Sequence, residues 1–325
     1  MRFKETQIIT LANQKGGCGK TTSSVSIAAA FNKLGYSVAI VDTDPQCNAT
    51  QSFGIDPHDL YDQGKLSLLD AFLNKRAASD IMISFPEERF DNRLVVIPGN
   101  AELGEVGIHL ELEAIQYSRF KRAEIDLDKI KDEQRNRLKE SLKSLRGQVD
   151  VIIIDTPPNL GFLMTSALIA ADWFIIPVFP SKYDLNGLES LTQTINQIRV
   201  TYNPKLQMAG VLLGNFDRTT KLDSQIYSLL CKKFGENSVF ETTIGRGVRM
   251  KEMVFNNQTI FEFEDTAVQA QDFLKLVNEM IGRAMKGTNT VRPLPNIEEV
   301  VEHAQASGVS LDVSADELMK EVSNG

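Results

Sequence analysis

Apolar residues fall into two patterns along this 325-residue chain. Short, mostly apolar runs cover residues 6–11, 38–41, 94–98, 149–155, 173–178 and 209–213. Between them, residues 21–34, 66–73, 161–171, 185–199 and 266–285 read as helices. An apolar run without polar alternation suits a parallel strand covered on both faces. Strands alternating with helices predict an α/β fold: a doubly wound, mostly parallel sheet flanked by helices. Residues 111–147 differ, being rich in both charge signs. There Leu127, Ile130, Leu138, Leu142 and Leu145 recur at roughly helical spacing, which predicts an amphipathic helix or helix pair with solvated outer faces.

Between the first strand and the first helix stands Lys15-Gly16-Gly17-Cys18-Gly19-Lys20-Thr21-Thr22. It is a variant of the phosphate-loop pattern G-x-x-x-x-G-K-[ST], because the first glycine slot is not glycine and Asn13-Gln14-Lys15 precede the glycines. Phosphate oxygens must touch backbone N–H groups with no side chain in the way, and such a loop needs unusual dihedrals, so glycine is required. Lys20 is placed to reach the β- and γ-phosphates, and the Thr21 hydroxyl to ligate Mg²⁺. The helix N-terminus adds its positive dipole end. The loop therefore predicts a P-loop nucleotide site for ATP and Mg²⁺.

Two further strands end in carboxylates, at the sheet edge where open α/β folds bind ligands. The run at 38–41 is followed by Asp42-Thr43-Asp44-Pro45-Gln46-Cys47-Asn48-Ala49-Thr50. There Asp44 is placed to orient an attacking water or assist its deprotonation, although an Asp-Pro pair equally favours a cap or turn. The run at 149–155 ends in Asp155-Thr156-Pro157-Pro158, a Walker B arrangement in which Asp155 holds Mg²⁺ through water.

Taken together, these segments resemble the ParA/MinD group of ATPases. Lys15 to Thr22 looks like that group's deviant Walker A motif. The Asp42–Thr50 stretch is similar to its D-x-D-P-Q-x-N-A-T segment, and Ile244-Gly245-Arg246-Gly247-Val248-Arg249-Met250-Lys251-Glu252 to its I-P-R-x-V-x-x-x-E segment. The resemblance spans roughly residues 6–285 and implies a ParA-type partitioning ATPase. It implies a homodimer sandwiching two ATP molecules, with Lys15 reaching the partner's nucleotide, and it puts Asn215 near adenine. It further implies non-specific double-stranded DNA binding, a ParB-like or cargo-adaptor protein that stimulates hydrolysis, and a cytoplasmic, nucleoid-associated location. The cargo would be a plasmid, a chromosome origin or a protein assembly. Pro180 to Leu185 departs from the group's usual wording, and no role is carried onto it.

Charge refines the picture. The chain carries a formal net charge of −8, which argues against a uniformly basic nucleic-acid coat but leaves room for a local patch. Bases outnumber acids over residues 218–251, where Arg218, Lys221, Arg246, Arg249 and Lys251 are the candidate DNA contacts and Lys232 and Lys233 read as ordinary helix-surface lysines. Residues 1–285 are expected to form the ATPase domain and residues 286–325 an acidic tail with short helices at 297–306 and 315–322. That tail is not the basic amphipathic helix by which MinD-like regulators bind membranes, the main alternative. A nitrogenase-like iron protein shares the loop but needs cluster cysteines, and Cys18, Cys47 and Cys231 lack metal-ligand spacing. Neither a signal peptide nor a membrane-spanning run is expected.

Overall fold

The computed structural model describes residues 3–121 and 127–285. Seven strands form one sheet: β1 (Gln7–Leu11), β2 (Val38–Asp42), β3 (Ile83–Ser84), β4 (Leu94–Ile97), β5 (Val151–Asp155), β6 (Trp173–Val178) and β7 (Gln207–Leu213). Their order across the sheet is β3-β4-β2-β5-β1-β6-β7. Every pairing is parallel except the short β3 edge, which runs antiparallel to β4.

The apolar runs follow from burial on both faces. Ile8, Ala39, Val41, Ile152, Ile154, Phe174 and Ile176 point to one side, against helices Phe162–Ala170 and Lys182–Thr201. Ile9, Leu11, Val38, Ile40, Val151, Ile153 and Ile175 point to the other, against α1 (Lys20–Lys33) and helix Val268–Met285. Each alternate residue meets a helix layer, so neither face tolerates polar alternation.

Differences from the sequence expectation are local. The strand read third is fourth in the chain, because β3 spans only two residues and carries no pattern. The charged stretch begins earlier than read and breaks into helices Val106–Lys121, Leu127–Arg135 and Arg137–Leu142, followed by a 3₁₀ turn at Lys143–Leu145. Its Leu138, Leu142 and Leu145 are wholly buried. Arg137 is buried with them, donating to the Phe72 carbonyl and to the Glu113 carboxylate, so part of the charge in this segment serves packing. Residues 122–126 and the tail at 286–325 with its two expected helices lie outside the described residues.

The strand order sets the C-terminal ends of β2, β5 and β1 side by side. The phosphate loop leaves β1, the Asp44 turn leaves β2, and Asp155 closes β5. One edge of the sheet therefore gathers all three.

Candidate nucleotide-binding site

The loop is tied down where it leaves the sheet. The Ala12 N–H donates to the Ile175 carbonyl, and the Asn13 amide donates to the Pro177 carbonyl at 2.6 Å. Asn13 Oδ1 also accepts the Lys15 N–H at 3.0 Å, starting the turn. Gly17 and Gly19 have φ of +71° and +84°, left-handed conformations that favour glycine. A Cβ added at Gly16 or Gly17 would meet nothing within 4 Å, so bare backbone faces open space there, as a phosphate cradle requires. Gly19 caps α1, and Lys20 opens it. Lys20 is buried; its Nζ donates to the Lys15 carbonyl at 2.9 Å and lies 3.8 Å from Cys18 Sγ. A lysine held back over its own loop is positioned to turn onto a phosphate. Thr22 is half-buried in the first turn, and Lys15 lies exposed at the lip.

Asp155 joins the loop to the sheet. Its Oδ2 accepts the Thr21 hydroxyl at 2.7 Å and its Oδ1 the Ser24 hydroxyl at 2.8 Å. The Thr43 N–H and hydroxyl both donate to the Asp155 carbonyl, at 3.0 and 2.6 Å. In the β2–β5 register Asp42 lies directly beside Asp155, and both carboxylates are fully buried. Asp42 Oδ2 accepts the Thr50 N–H at 2.8 Å and the Thr50 hydroxyl at 2.7 Å, while Oδ1 accepts the Asp44 N–H at 3.1 Å. Burial, aided by the neighbouring acid, pushes the Asp155 carboxyl up to about 7 against the pull of its two hydroxyl donors. Burial likewise pushes Asp42 up to about 6, against its hydrogen bonds from Thr50 and Asp44.

These donors fit Mg²⁺. The pair is a hydroxyl and a carboxylate, both hard oxygen ligands, and no group of three or more His, Cys, Asp or Glu among the described residues could hold a metal alone. Mg²⁺ keeps several waters and binds through one or two carboxylates plus phosphate oxygens, so a sparse oxygen site beside a phosphate cradle suits it.

Asp44 forms the turn that its Asp-Pro pair favours. Its Oδ1 accepts the Gln46 N–H at 3.0 Å, closing the turn, and its Oδ2 has no hydrogen-bond partner among the described residues. Asn215 follows β7 in the left-handed region at φ +51° and is exposed. Between it and the loop stands Phe179. A Cβ on Gly19 or on Gly214 would come within 2.9 Å of the Phe179 ring, so that ring lies against both glycines.

The basic candidates gather on another surface. The Phe216 N–H donates to the Ile244 carbonyl and the Arg246 N–H to the Phe216 carbonyl, setting the segments of Arg218 and Arg246 side by side. Arg218, Lys221, Arg246 and Lys251 are exposed and form no ion pair among the described residues. Arg249 is different: Glu252 holds it at 2.8 Å and Glu264 at 2.7 Å.

Sequence reasoning missed Asp42, Ser24 and Phe179. A signal for Asp42 was present, since it ends an apolar run just as Asp155 does. Ser24 stands one helical turn after Lys20, a spacing that any helix offers, and nothing local marked Phe179.

Comparison with known proteins matches residues 6–208 to a family described as an AAA domain. The sporulation initiation inhibitor protein Soj of Bacillus subtilis is 34% identical over 274 residues, covering 84% of this chain and 98% of that protein. The chromosome partitioning protein ParA of Myxococcus xanthus is 31% identical over 277 residues, 85% of this chain and 88% of that one. Among solved structures, cobyrinic acid a,c-diamide synthase of Mycobacterium smegmatis with bound ADP and magnesium superposes with a TM-score of 0.66 and 26% identity, over 90% of this chain and 98% of that one.

Proposed function

Because the chain belongs to the ParA family of partitioning ATPases, we propose that its ATP hydrolysis times a cycle that positions a DNA or protein cargo. The supporting observation is the joint hold on Asp155 by Thr21 and Ser24, beside the open phosphate cradle and the Asp42–Asp44 turn. Backbone N–H groups from Gly16 to Thr22 receive the phosphate oxygens, and Lys20 turns from the Lys15 carbonyl onto the β- and γ-phosphates. Thr21 and Asp155 would hold Mg²⁺, which would supply charge neutralisation at the phosphates. Asp44 Oδ2 orients the attacking water. Asn215, which follows β7, would contact the adenine.

Lys15 at the exposed lip reaches the nucleotide of a second subunit, so that two chains enclose two ATP molecules. Its charge acts there as an arginine finger does. Pairing the subunits also pairs their basic patches. Two linked patches gain effective concentration for the second contact, and the dimer grips double-stranded DNA through phosphates without sequence preference. A ParB-like or cargo-adaptor protein then stimulates hydrolysis and releases the dimer from the nucleoid. The cargo is a plasmid, a chromosome origin or a protein assembly.

The test is a mobility shift on unrelated duplexes with ATP, with ADP and without nucleotide, at two salt concentrations. Binding is expected only with ATP, falling steeply with salt and abolished by Arg246→Glu with Lys251→Glu. Nucleotide-independent binding, or binding that survives the charge reversal, removes the switch and directs the question to membranes, where liposome sedimentation answers it.

A further inference from the structure

The basic patch is also apolar. Val248 is 68% exposed and Phe255 88%, on the same segment as Arg246 and Lys251. Phosphates account for the cations but give a phenyl ring nothing to pack against. A surface mixing exposed apolar side chains with cations fits an acidic amphipathic segment, which buries the one and pairs the other.

Such a segment lies in the same chain. Acids and apolar residues adjoin in Ile297-Glu298-Glu299-Val300-Val301-Glu302, again in Leu311-Asp312-Val313, and again in Asp316-Glu317-Leu318-Met319. We propose that residues 297–319, which lie outside the described residues, dock in cis on the patch formed by Arg218, Lys221, Arg246, Val248, Lys251 and Phe255. The docked segment competes with DNA for this surface; that consequence rests on the function proposed above, whereas the docking itself does not.

The geometry allows the contact. The N-terminal turns of helix Val268–Met285 carry the patch: the Gln269 amide donates to the Gly245 and Arg246 carbonyls, and Asp272 accepts the Gly245 N–H at 3.0 Å. The other end of that helix leads into the tail. The helix is about 27 Å long, and the stretch from Met285 to Ile297 reaches up to about 40 Å when extended. Acids already at the patch leave charge to be met. Thr219 bonds the Asp217 carboxylate, and Glu252 with Glu264 occupies Arg249, while Arg218, Lys221, Arg246 and Lys251 have no acid within ion-pair reach among the described residues.

The experiment is zero-length carbodiimide coupling of the full, nucleotide-free chain without DNA, read by peptide mass spectrometry. Each coupling joins a lysine amine to a carboxylate as an amide while the carbodiimide takes up the water. Amides between Lys221 or Lys251 and tail carboxylates are expected, with equal yield across a tenfold dilution and loss at high salt. Lys33 and Asp265, 3.4 Å apart, provide the internal positive control. The variant Glu298→Gln, Glu299→Gln, Glu302→Gln should lose the tail amides and, in the ATP state, bind an unrelated duplex severalfold more tightly than the wild type. Control amides without patch–tail amides, together with unchanged DNA affinity in the variant, overturn the docking and leave the DNA function standing. A yield that rises with concentration overturns docking in cis. Patch–tail amides in a chain that binds no DNA in any nucleotide state support the docking and overturn the DNA function.

Discussion

The Thr21 hydroxyl donates to Asp155 Oδ2 at 2.7 Å, bridging 134 positions of sequence. One bond thus joins the first turn of α1 to the end of β5, and with them the phosphate loop to the candidate metal-binding acid. The two partners are also the candidate metal ligands.

Thr21→Val removes the hydroxyl and keeps the shape. Mg²⁺ affinity of the ATP complex should fall by about 10- to 100-fold. Asp155 retains Ser24 as a donor, so stability should fall by only about 1 kcal/mol. Magnesium titration of turnover and urea unfolding read the two effects. Unchanged magnesium dependence would remove Thr21 from the metal site.

Asp44→Ala should keep ATP affinity and lower hydrolysis by about 10²- to 10⁴-fold, the usual worth of a positioned acid or base. Calorimetry and phosphate release separate binding from turnover. Wild-type turnover in this variant would leave Asp44 with its turn-forming hydrogen bond to the Gln46 N–H as its only role.

Lys15→Gln leaves the Lys20 contact to the residue-15 carbonyl available, because that bond uses backbone. Monomer nucleotide binding should therefore persist, while ATP-dependent dimerisation weakens and turnover drops by about 10³ or more. Light scattering that shows an unchanged ATP dimer, together with normal turnover, would reject the cross-subunit role.

Burial raises Asp42 to about 6 and Asp155 to about 7, above the ordinary carboxylate value. The folded chain thus binds more protons than the unfolded chain between roughly pH 4 and 7, and stability falls as pH rises through that window. Asp42→Asn should remove part of the slope. Urea midpoints of the magnesium-free protein at several pH values give the comparison, and parallel curves for wild type and variant would show that Asp42 does not contribute.

Gly214→Ala brings a Cβ to 2.9 Å from the Phe179 ring. Overpacking of that kind should cost about 1–3 kcal/mol, and Phe179→Leu in the same chain should recover part of it. Thermal melts of the single and double variants test the coupling. Additive effects would mean that the ring and Gly214 do not constrain each other.

Much of the molecule was written locally. A phosphate cradle demands glycines where the backbone turns left-handed, so Gly17 and Gly19 announced the loop before any fold was known. Strands buried on two faces demand unbroken apolar runs, which marked all but the two-residue β3, and an acid ending such a run marked Asp155. Relations between distant segments carried no such mark. Asp42 meets Asp155 only because the sheet places β2 beside β5, and its raised pKa follows from that register and from burial. Ser24 became a hydrogen-bond donor to Asp155, Phe179 came to lie against Gly19 and Gly214, and Arg249 was claimed by Glu252 and Glu264 for the same reason. A residue's type and spacing state what it can bond; which partner stands within 3 Å is decided when the strand order closes, because long-range packing brings together groups whose sequence neighbours say nothing of each other.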